Sequence, residues 1–202
     1  AMSEPGVGSD LRSMRTTAVR NADSYTINGQ KTFITNGGNA DLAVTATKLD
    51  PAAKELTLIC VETDQPGFSK GRKLEKIGLK GQDTSELSFD NVSVPLSNRL
   101  GEEGQGFKYL THQLAWERTI IGIRAAASIE SLIDQTIQYT RDRKVFGKTV
   151  FDFQNTKFKL AECKAQATML RVFVDDCLAK AMRGELSGEV GAMCKLMGSE
   201  MQ

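Results

Sequence analysis

The chain has 202 residues, 26 of them basic and 25 acidic, for a formal net charge of +1, and 40% of it is hydrophobic. That hydrophobic share supports a packed core, and the length allows one large domain or two small ones. The balanced charge argues against a nucleic acid or an anionic membrane as the main partner, and no apolar run is long enough to span a bilayer.

Residues 16–20, 25–27, 31–35, 42–47, 56–61 and 85–94 read as short strands rich in Val, Ile, Thr and aromatics, the last ended by Pro95. Asn28-Gly29 predicts a two-residue type I′ hairpin, since both turn positions need positive φ. Asn36-Gly37-Gly38 and Asp64-Gln65-Pro66-Gly67 mark further turns. The composition changes near residue 100. After Gly106 the apolar period becomes helical, with a stripe of Ile120, Ile123, Ala127, Leu132, Ile133 and Ile137. Charge and glycine over 141–147 interrupt it. A second long helix is expected from about Gln154 to Arg183, carried by Leu160, Ala167, Leu170, Phe173, Val174, Leu178 and Ala181 and stopped by Gly184. Ser187 is the expected N-cap of a third.

Strands followed by helices predict an α+β chain: an antiparallel β-barrel or sandwich over 1–100, then an up-down helical-bundle segment over 101–202. The glycines near Gly6 and Gly8 precede a strand, so they do not form a nicotinamide-type dinucleotide loop. Cys60, Cys163, Cys177 and Cys194 show no CxxC pair and no metal spacing, and read as reduced packing residues of a reducing compartment. The chain opens in what looks like mid-motif and stops inside a helical pattern, so it is expected to be an internal piece of a longer protein.

Four segments have residue types suited to chemistry. The glycines and hydroxyls of 1–10 can offer donors to an anion or a heterocycle, or form a plain surface loop. In Lys31-Thr32-Phe33-Ile34-Thr35-Asn36-Gly37, alternation puts Phe33 and Thr35 on one strand face. There they suit either a flat ring with a polar edge or an ordinary core. Glu117, between Trp116 and Arg118, is either a carboxylate desolvated by apolar neighbours, with a raised pKa suited to a general base, or a solvated helix residue. Arg141-Asp142-Arg143-Lys144-Val145-Phe146-Gly147-Lys148 is either a pyrophosphate ligand or a solvated charged turn. His112, the one histidine, has no nucleophile partner in any familiar triad pattern and reads as packing or surface.

In order and spacing these segments resemble the acyl-CoA dehydrogenase family, in its long-chain and isovaleryl-like branch. Ser3-Glu4-Pro5 followed by Gly8-Ser9-Asp10 resembles the family's opening signature, and Phe33-Ile34-Thr35-Asn36-Gly37 its flavin-stacking strand. Lys76-Ile77-Gly78-Leu79-Lys80-Gly81, Asp83-Thr84 and Phe89-Asp90-Asn91-Val92 resemble the end of its β-domain. Leu100-Gly101-Glu102-Glu103-Gly104-Gln105-Gly106-Phe107 resembles its crossover to helices, and 141–147 with Phe153-Gln154 the segment that reaches a neighbouring subunit's flavin. The match runs over essentially the whole chain.

The resemblance implies FAD held between β-domain and helices in a homotetramer or dimer. Carried over by position, Met2, Ser3, Gly8 and Ser9 would line the flavin, with Phe33, Ile34 and Thr35 against its ring and N5 edge. Arg143, Phe146 and Gln154 would contact FAD across subunits. Ser9 and Arg118 would face substrate. Glu117, a Glu before an Arg, would be the base removing the α-proton of an acyl-CoA thioester, with hydride passing to flavin N5 to leave the trans-2-enoyl-CoA. Electrons would leave to an electron-transfer flavoprotein, in the bacterial cytoplasm or the mitochondrial matrix. A flavin oxidase or monooxygenase of the same fold and a non-catalytic piece are the competing readings. Three positions depart from the pattern: Val7 stands where a small residue is usual and is expected to crowd its turn, Ser3 replaces Thr, and Phe33 replaces Trp.

Overall fold

Residues 17–100 supply seven strands: β1 (Thr17–Arg20), β2 (Ser24–Thr35), β3 (Leu42–Thr47), β4 (Thr57–Glu62), β5 (Phe68–Lys73), β6 (Thr84–Pro95) and β7 (Arg99–Leu100). The computed structural model describes all residues from 1 to 202, in two compact units, Ala1–Tyr109 and Leu110–Gln202. In the first, a four-stranded antiparallel sheet runs β1-β2-β6-β5 and a three-stranded one runs β3-β4-β7. Neither sheet closes on itself, so of the two expected forms the unit takes the sandwich and not the barrel. Its core joins both sheets: Tyr25, Ile27, Leu87, Val92 and Val94 from one meet Ala43, Ile59 and Val61 from the other. Each such aliphatic side chain contributes about 1.5–3 kcal/mol by leaving water.

The expected hairpin at Asn28-Gly29 does not form. β2 is one continuous strand of 12 residues, with register shifts at Ile27/Gly29 and Lys31/Ile34. Gly29 is there because β1's approach leaves no room: a Cβ would stand 2.7 Å from Thr16 Cα. Asn28 spends its side chain on the partner strand, its Oδ1 accepting the Asn91 N–H at 2.8 Å.

β5 has no counterpart among the expected strands. It lies at the sheet edge, and its Ser-Lys-Gly-Arg-Lys run lacks an apolar alternation because no second strand covers it. The first unit extends past residue 100 because the sheet holds the strap of residues 101–106. Gly106 N–H donates to Leu56 O at 2.7 Å and Gly104 N–H to Thr57 Oγ1 at 3.0 Å.

The helices are α1 (Gly106–Asp142), α2 (Gln154–Met182) and α3 (Gly188–Met201). Between α1 and α2 stands a two-stranded hairpin of β8 (Lys144–Val145) and β9 (Lys148–Thr149). The core of the second unit is Ala126, Ile129 and Ile133 of α1, Ala167, Leu170, Val174 and Cys177 of α2, and Cys194 of α3. The expected α1 stripe is partly wrong, since Ile120 and Leu132 are exposed while Ala115, Thr119, Gly122 and Ala126 are buried. The helices approach too closely for large side chains: a Cβ on Gly122 would stand 2.8 Å from Cys194 O, and one on Gly191 2.5 Å from Ala115 O. On α2, Leu178 is likewise turned to solvent and Cys177 takes the buried position. Arg171 forks onto Glu130 at 2.9 and 2.7 Å, clamping α2 to α1. Gly184, at φ 72, ends α2. Ser187 caps α3, accepting the Val190 N–H at 3.2 Å. All four cysteines are free thiols. No helix is long and apolar enough to cross a membrane.

Candidate cofactor and substrate site

The opening segment is built against β2. Ser3 O accepts the Thr32 N–H at 2.9 Å and Ala1 O accepts the Ala46 N–H at 3.0 Å. Glu4 and Val7 exchange backbone hydrogen bonds at 2.9 and 3.0 Å, closing a tight turn around Pro5 and Gly6. Val7 is buried beneath that turn, so the expected crowding does not arise: its side chain turns inward.

The anchor of this segment is a residue pair that no sequence pattern announced. Lys31 is fully buried and donates to Glu4 Oε1 at 2.9 Å, with Met2 O at 3.3 Å and Met14 Sδ at 3.2 Å completing its shell. Glu4 also accepts the Arg15 N–H at 2.7 Å and the Thr16 N–H at 3.0 Å. Burial alone would raise the Glu4 carboxyl, but hydrogen bonds from Thr16, the Arg15 amide and Lys31 hold it below the usual carboxylate value. Burial brings the Lys31 ammonium down to about 8, against the opposing pull of Glu4. The one available signal is a lysine in mid-strand with a glutamate in the glycine loop.

Pinning Lys31 inward sets the course of the next residues of β2. Lys31 and Thr32 are both buried, so the strand's strict alternation fails at the register shift, and Phe33 takes φ 57. Phe33 is 68% exposed; Ile34 is half-buried and Thr35 exposed. Phe33 and Thr35 are both left open to solvent, across a bulge and not through simple alternation. Of the other expected flavin contacts, Met2 and Ser3 are half-buried, Gly8 and Ser9 exposed, and a Cβ at Gly6 or Gly8 would meet open space. This rim offers an apolar plate, hydroxyls and accessible backbone. The set fits a flat heterocycle with a hydrogen-bonding edge.

In the second unit, Glu117 is exposed and Arg118 half-buried. The expected desolvation of Glu117 is not supplied by its own helix. Successive helical residues diverge by about 100°, which turns Glu117 away from half-buried Trp116. Ile120, one turn on, is itself 44% exposed. His112 is also exposed.

The cationic segment forms the β8–β9 hairpin, and its two-residue turn is Phe146-Gly147, at φ 50 and φ 76. The double positive φ expected at Asn28-Gly29 is therefore met here, with a phenylalanine in a position that favours Asn or Gly. Phe146 is 94% exposed. Arg143 is exposed, its N–H bonded to Tyr139 O at 2.9 Å and its O accepting the Val150 N–H at 2.8 Å. Cations brace the hairpin's base: Lys148 Nζ lies 4.1 Å from the Phe153 ring centroid and Arg141 5.0 Å from that of Phe151. Thr149 and Asp152 form a capping box before Gln154, which is exposed at the start of α2. No His, Cys, Asp and Glu group of three or more is placed to hold a metal ion.

A sheet sandwich with an exposed aromatic rim, followed by long helices bearing a cationic hairpin, defines a class of cofactor-binding enzyme domains. Residues 1–92 match the family model for the acyl-CoA dehydrogenase middle domain and residues 104–202 that for the acyl-CoA dehydrogenase C-terminal domain. The chain belongs to the acyl-CoA dehydrogenase family. It is 44% identical to the mitochondrial long-chain specific acyl-CoA dehydrogenase of Sus scrofa, over 100% of this chain and 48% of that protein. Among solved structures, the acyl-CoA dehydrogenase of Geobacillus kaustophilus superposes with a TM-score of 0.95 at 48% identity, over 100% of this chain and 54% of that one. A structure described as PigA with FAD and proline superposes at 0.93 with 28% identity, over 100% of this chain and 53% of that one. The chain spans about half the length of the relatives it matches.

Proposed function

We propose that the intact enzyme performs the α,β-dehydrogenation of an acyl-CoA thioester to the trans-2-enoyl-CoA, with FAD as cofactor. The observation that carries this reading is the rim where the opening segment meets the end of β2. Ser3 is bonded to Thr32, Lys31 is locked inward by Glu4, and Phe33 and Thr35 are left exposed beside them. A strand that holds a bulky aromatic at φ 57 in solvent is strained, and such strain is commonest where a ligand is bound. The names of the relatives support the substrate class, and the FAD in the description of the PigA structure supports the cofactor.

When bound, FAD supplies the acceptor for the substrate's β-hydride, at its N5 position. Phe33 is the plate for the ring, Thr35 hydrogen-bonds its edge, and Met2, Ser3, Gly8, Ser9 and Ile34 line it. Arg143, Phe146 and Gln154 hold the cofactor of a second copy, which makes the enzyme a homo-oligomer. Glu117 takes the α-proton, while Ser9 and Arg118 contact the substrate. The α-carbon is a weak acid, so hydrogen bonds to the thioester carbonyl must stabilise the developing enolate. The two electrons leave to an electron-transfer flavoprotein. Four free thiols suit a reducing compartment, the bacterial cytoplasm or the mitochondrial matrix.

The test is anaerobic mixing of the purified, yellow enzyme with acyl-CoA, followed at the flavin absorbance. Bleaching is expected, and Thr35→Val is expected to weaken FAD retention or shift its spectrum. A flavin that does not bleach with any acyl-CoA, or whose reduced form is consumed by oxygen faster than by electron-transfer flavoprotein, overturns the dehydrogenase reading.

A further inference from the structure

The bulge that leaves Phe33 and Thr35 in solvent is held at both ends. Lys31 and Glu4 fix it upstream. Downstream, β2 runs into a turn over residues 36–39, where Asn36 takes φ 58, and this turn is tied to Asp83, the residue just before β6. Asp83 O accepts the Asn36 N–H at 2.9 Å. Its Oδ2 accepts the Gly38 N–H at 2.7 Å and the Ser85 hydroxyl at 3.0 Å, and its Oδ1 the Asn39 side-chain amide at 2.9 Å. A Cβ on Gly38 would stand 2.8 Å from Asp83 Oδ2, so the turn is built closely around the carboxylate. The last pairs of β2 with β6 are Ile34 with Ser85 and Thr35 with Thr84, both next to Asp83 in the chain. One side chain therefore fixes the backbone on either side of the point where Thr35 emerges.

Asp83 is also a buried charge that nothing cancels. It is 5% exposed and forms no ion pair. Lys70 of β5 and Lys76 of the loop after it spend their ammoniums on carbonyl groups, those of Ala40 and Gln82. Three neutral donors satisfy the carboxylate without neutralising it, and burial leaves its field less screened than that of a surface acid. Holding the turn does not require this charge. An asparagine at 83 could accept from Gly38 and Ser85, and the exposed Asn39 amide could turn its own oxygen to the new amide group. A buried anion costs desolvation that the neutral isostere avoids, so its presence here points beyond the turn itself.

We propose that Asp83 is a positioning residue for the flavin: its hydrogen bonds hold Thr35 at the edge of the ring, and its uncancelled charge makes the ring hold added electrons less tightly. The inference rests on the reading that FAD stacks at the Phe33–Thr35 rim, and not on the identity of the substrate. The two effects are separable. The hydrogen bonds act through the backbone of 34–36 and set how firmly FAD is kept. The charge acts through space and sets the potential, because electrons placed on the ring meet a fixed negative charge at that end of the sheet. A flavin that holds electrons less tightly passes them on more readily, which suits an enzyme whose cofactor must be emptied after each turnover. A carboxylate that served the turn alone would leave the potential untouched.

The experiment uses the intact holoenzyme without substrate and reads two quantities. FAD dissociation is followed by the fluorescence of released flavin, and the flavin midpoint potential by equilibration with a redox dye. Asp83→Asn keeps the ties and removes the charge, so its potential is expected to rise while its FAD dissociation constant stays within a few-fold of wild type. Asp83→Ala removes both and leaves the Gly38 N–H without an acceptor, so its FAD dissociation constant is expected to rise about tenfold or more. A wild-type potential in Asp83→Asn overturns the proposal, and so does wild-type FAD affinity in Asp83→Ala. Should Asp83→Ala not fold, the potential of Asp83→Asn decides alone. Because no acyl-CoA is present, either failure leaves the dehydrogenase reading standing. A wild-type enzyme that binds no FAD overturns the cofactor reading, and this inference with it.

Discussion

Lys31 Nζ lies 2.9 Å from Glu4 Oε1, and both side chains are shut off from water. The pair joins the opening segment to β2 and so sets which way Phe33 and Thr35 face. The two partners are not equivalent. Without Lys31, Glu4 keeps the Arg15 and Thr16 amides as donors; without Glu4, Lys31 keeps only a carbonyl and a thioether. Glu4→Gln is therefore expected to cost about 3–5 kcal/mol, as an uncompensated buried charge does, and Lys31→Met less. Denaturant titration of the intact enzyme measures both, and equal losses would contradict the asymmetry.

The same pair makes a pH prediction. The folded Lys31 loses its proton near pH 8 while the unfolded lysine keeps it until 10.5, so the unfolded state binds more protons in that window. Stability from this site rises as pH climbs from about 8 to 10.5. Glu4, held below its ordinary 4.5, contributes stability that is complete above that value and is lost as pH falls through the depressed one. Midpoints of urea unfolding at pH 8 and pH 10 should differ less in Lys31→Met than in wild type.

Gly29→Ala should destabilise the first unit by about 1–3 kcal/mol, the cost of overpacking. Its Cβ would meet Thr16 at 2.5–2.7 Å, and one of those atoms is backbone. A drop in Tm without change in the flavin spectrum of the molecules that remain folded is the expected result. A neutral outcome would mean that β1 moves aside freely.

Phe146 occupies a turn position that suits asparagine far better, at φ 50 and almost wholly in solvent. Phe146→Asn should relieve the backbone and stabilise the hairpin by about 1 kcal/mol, since strained non-glycine residues cost about 1–3. If the ring is there for a neighbouring subunit's flavin, the same variant loses FAD more readily. Greater stability with unchanged FAD retention would remove Phe146 from the site.

Arg143 presents a planar, permanently charged fork that lysine cannot copy on a pyrophosphate. Arg143→Ala is expected to weaken FAD binding and the oligomer together, because a cofactor bound only by the assembled state stabilises that state. Gel filtration with and without added FAD reads both. Loss of one without the other would separate cofactor binding from assembly.

How legible each element is in the sequence depends on its packing partners. β3 and β6 are legible because their alternation meets a core on one side, and Ser187 because a cap is a local chemical fact. Asn28-Gly29 misleads because its glycine answers to Thr16, the residue just before β1, a contact no local window contains. β5 is invisible because an exposed edge needs no apolar pattern. On α1 the apolar stripe misleads because close helix packing selects glycine and alanine, leaving Ile120 and Leu132 outside. In the site, Phe33 and Thr35 are legible as an aromatic followed two positions later by a hydroxyl. Glu4 and Lys31 are not, since a buried ion pair spanning 27 residues leaves no periodic trace.

Glu117 carries the sharpest mechanistic claim. It is exposed on α1 and Arg118 turns about 100° away, so neither burial nor its neighbour holds the carboxylate back. A substrate laid along this face would exclude water from it and bring an α-carbon within reach, which gives the bound thioester the desolvating role that the helix does not play. Glu117→Gln preserves shape and removes the base. FAD content and acyl-CoA affinity should stay near wild type, while anaerobic flavin bleaching slows by roughly 10²–10⁴-fold, the usual share of a general base. A merely structural glutamate would instead change affinity or cofactor content along with rate. Near-normal bleaching by Glu117→Gln would assign proton abstraction to a residue outside these 202, and the enzyme to a branch of the family whose base lies elsewhere.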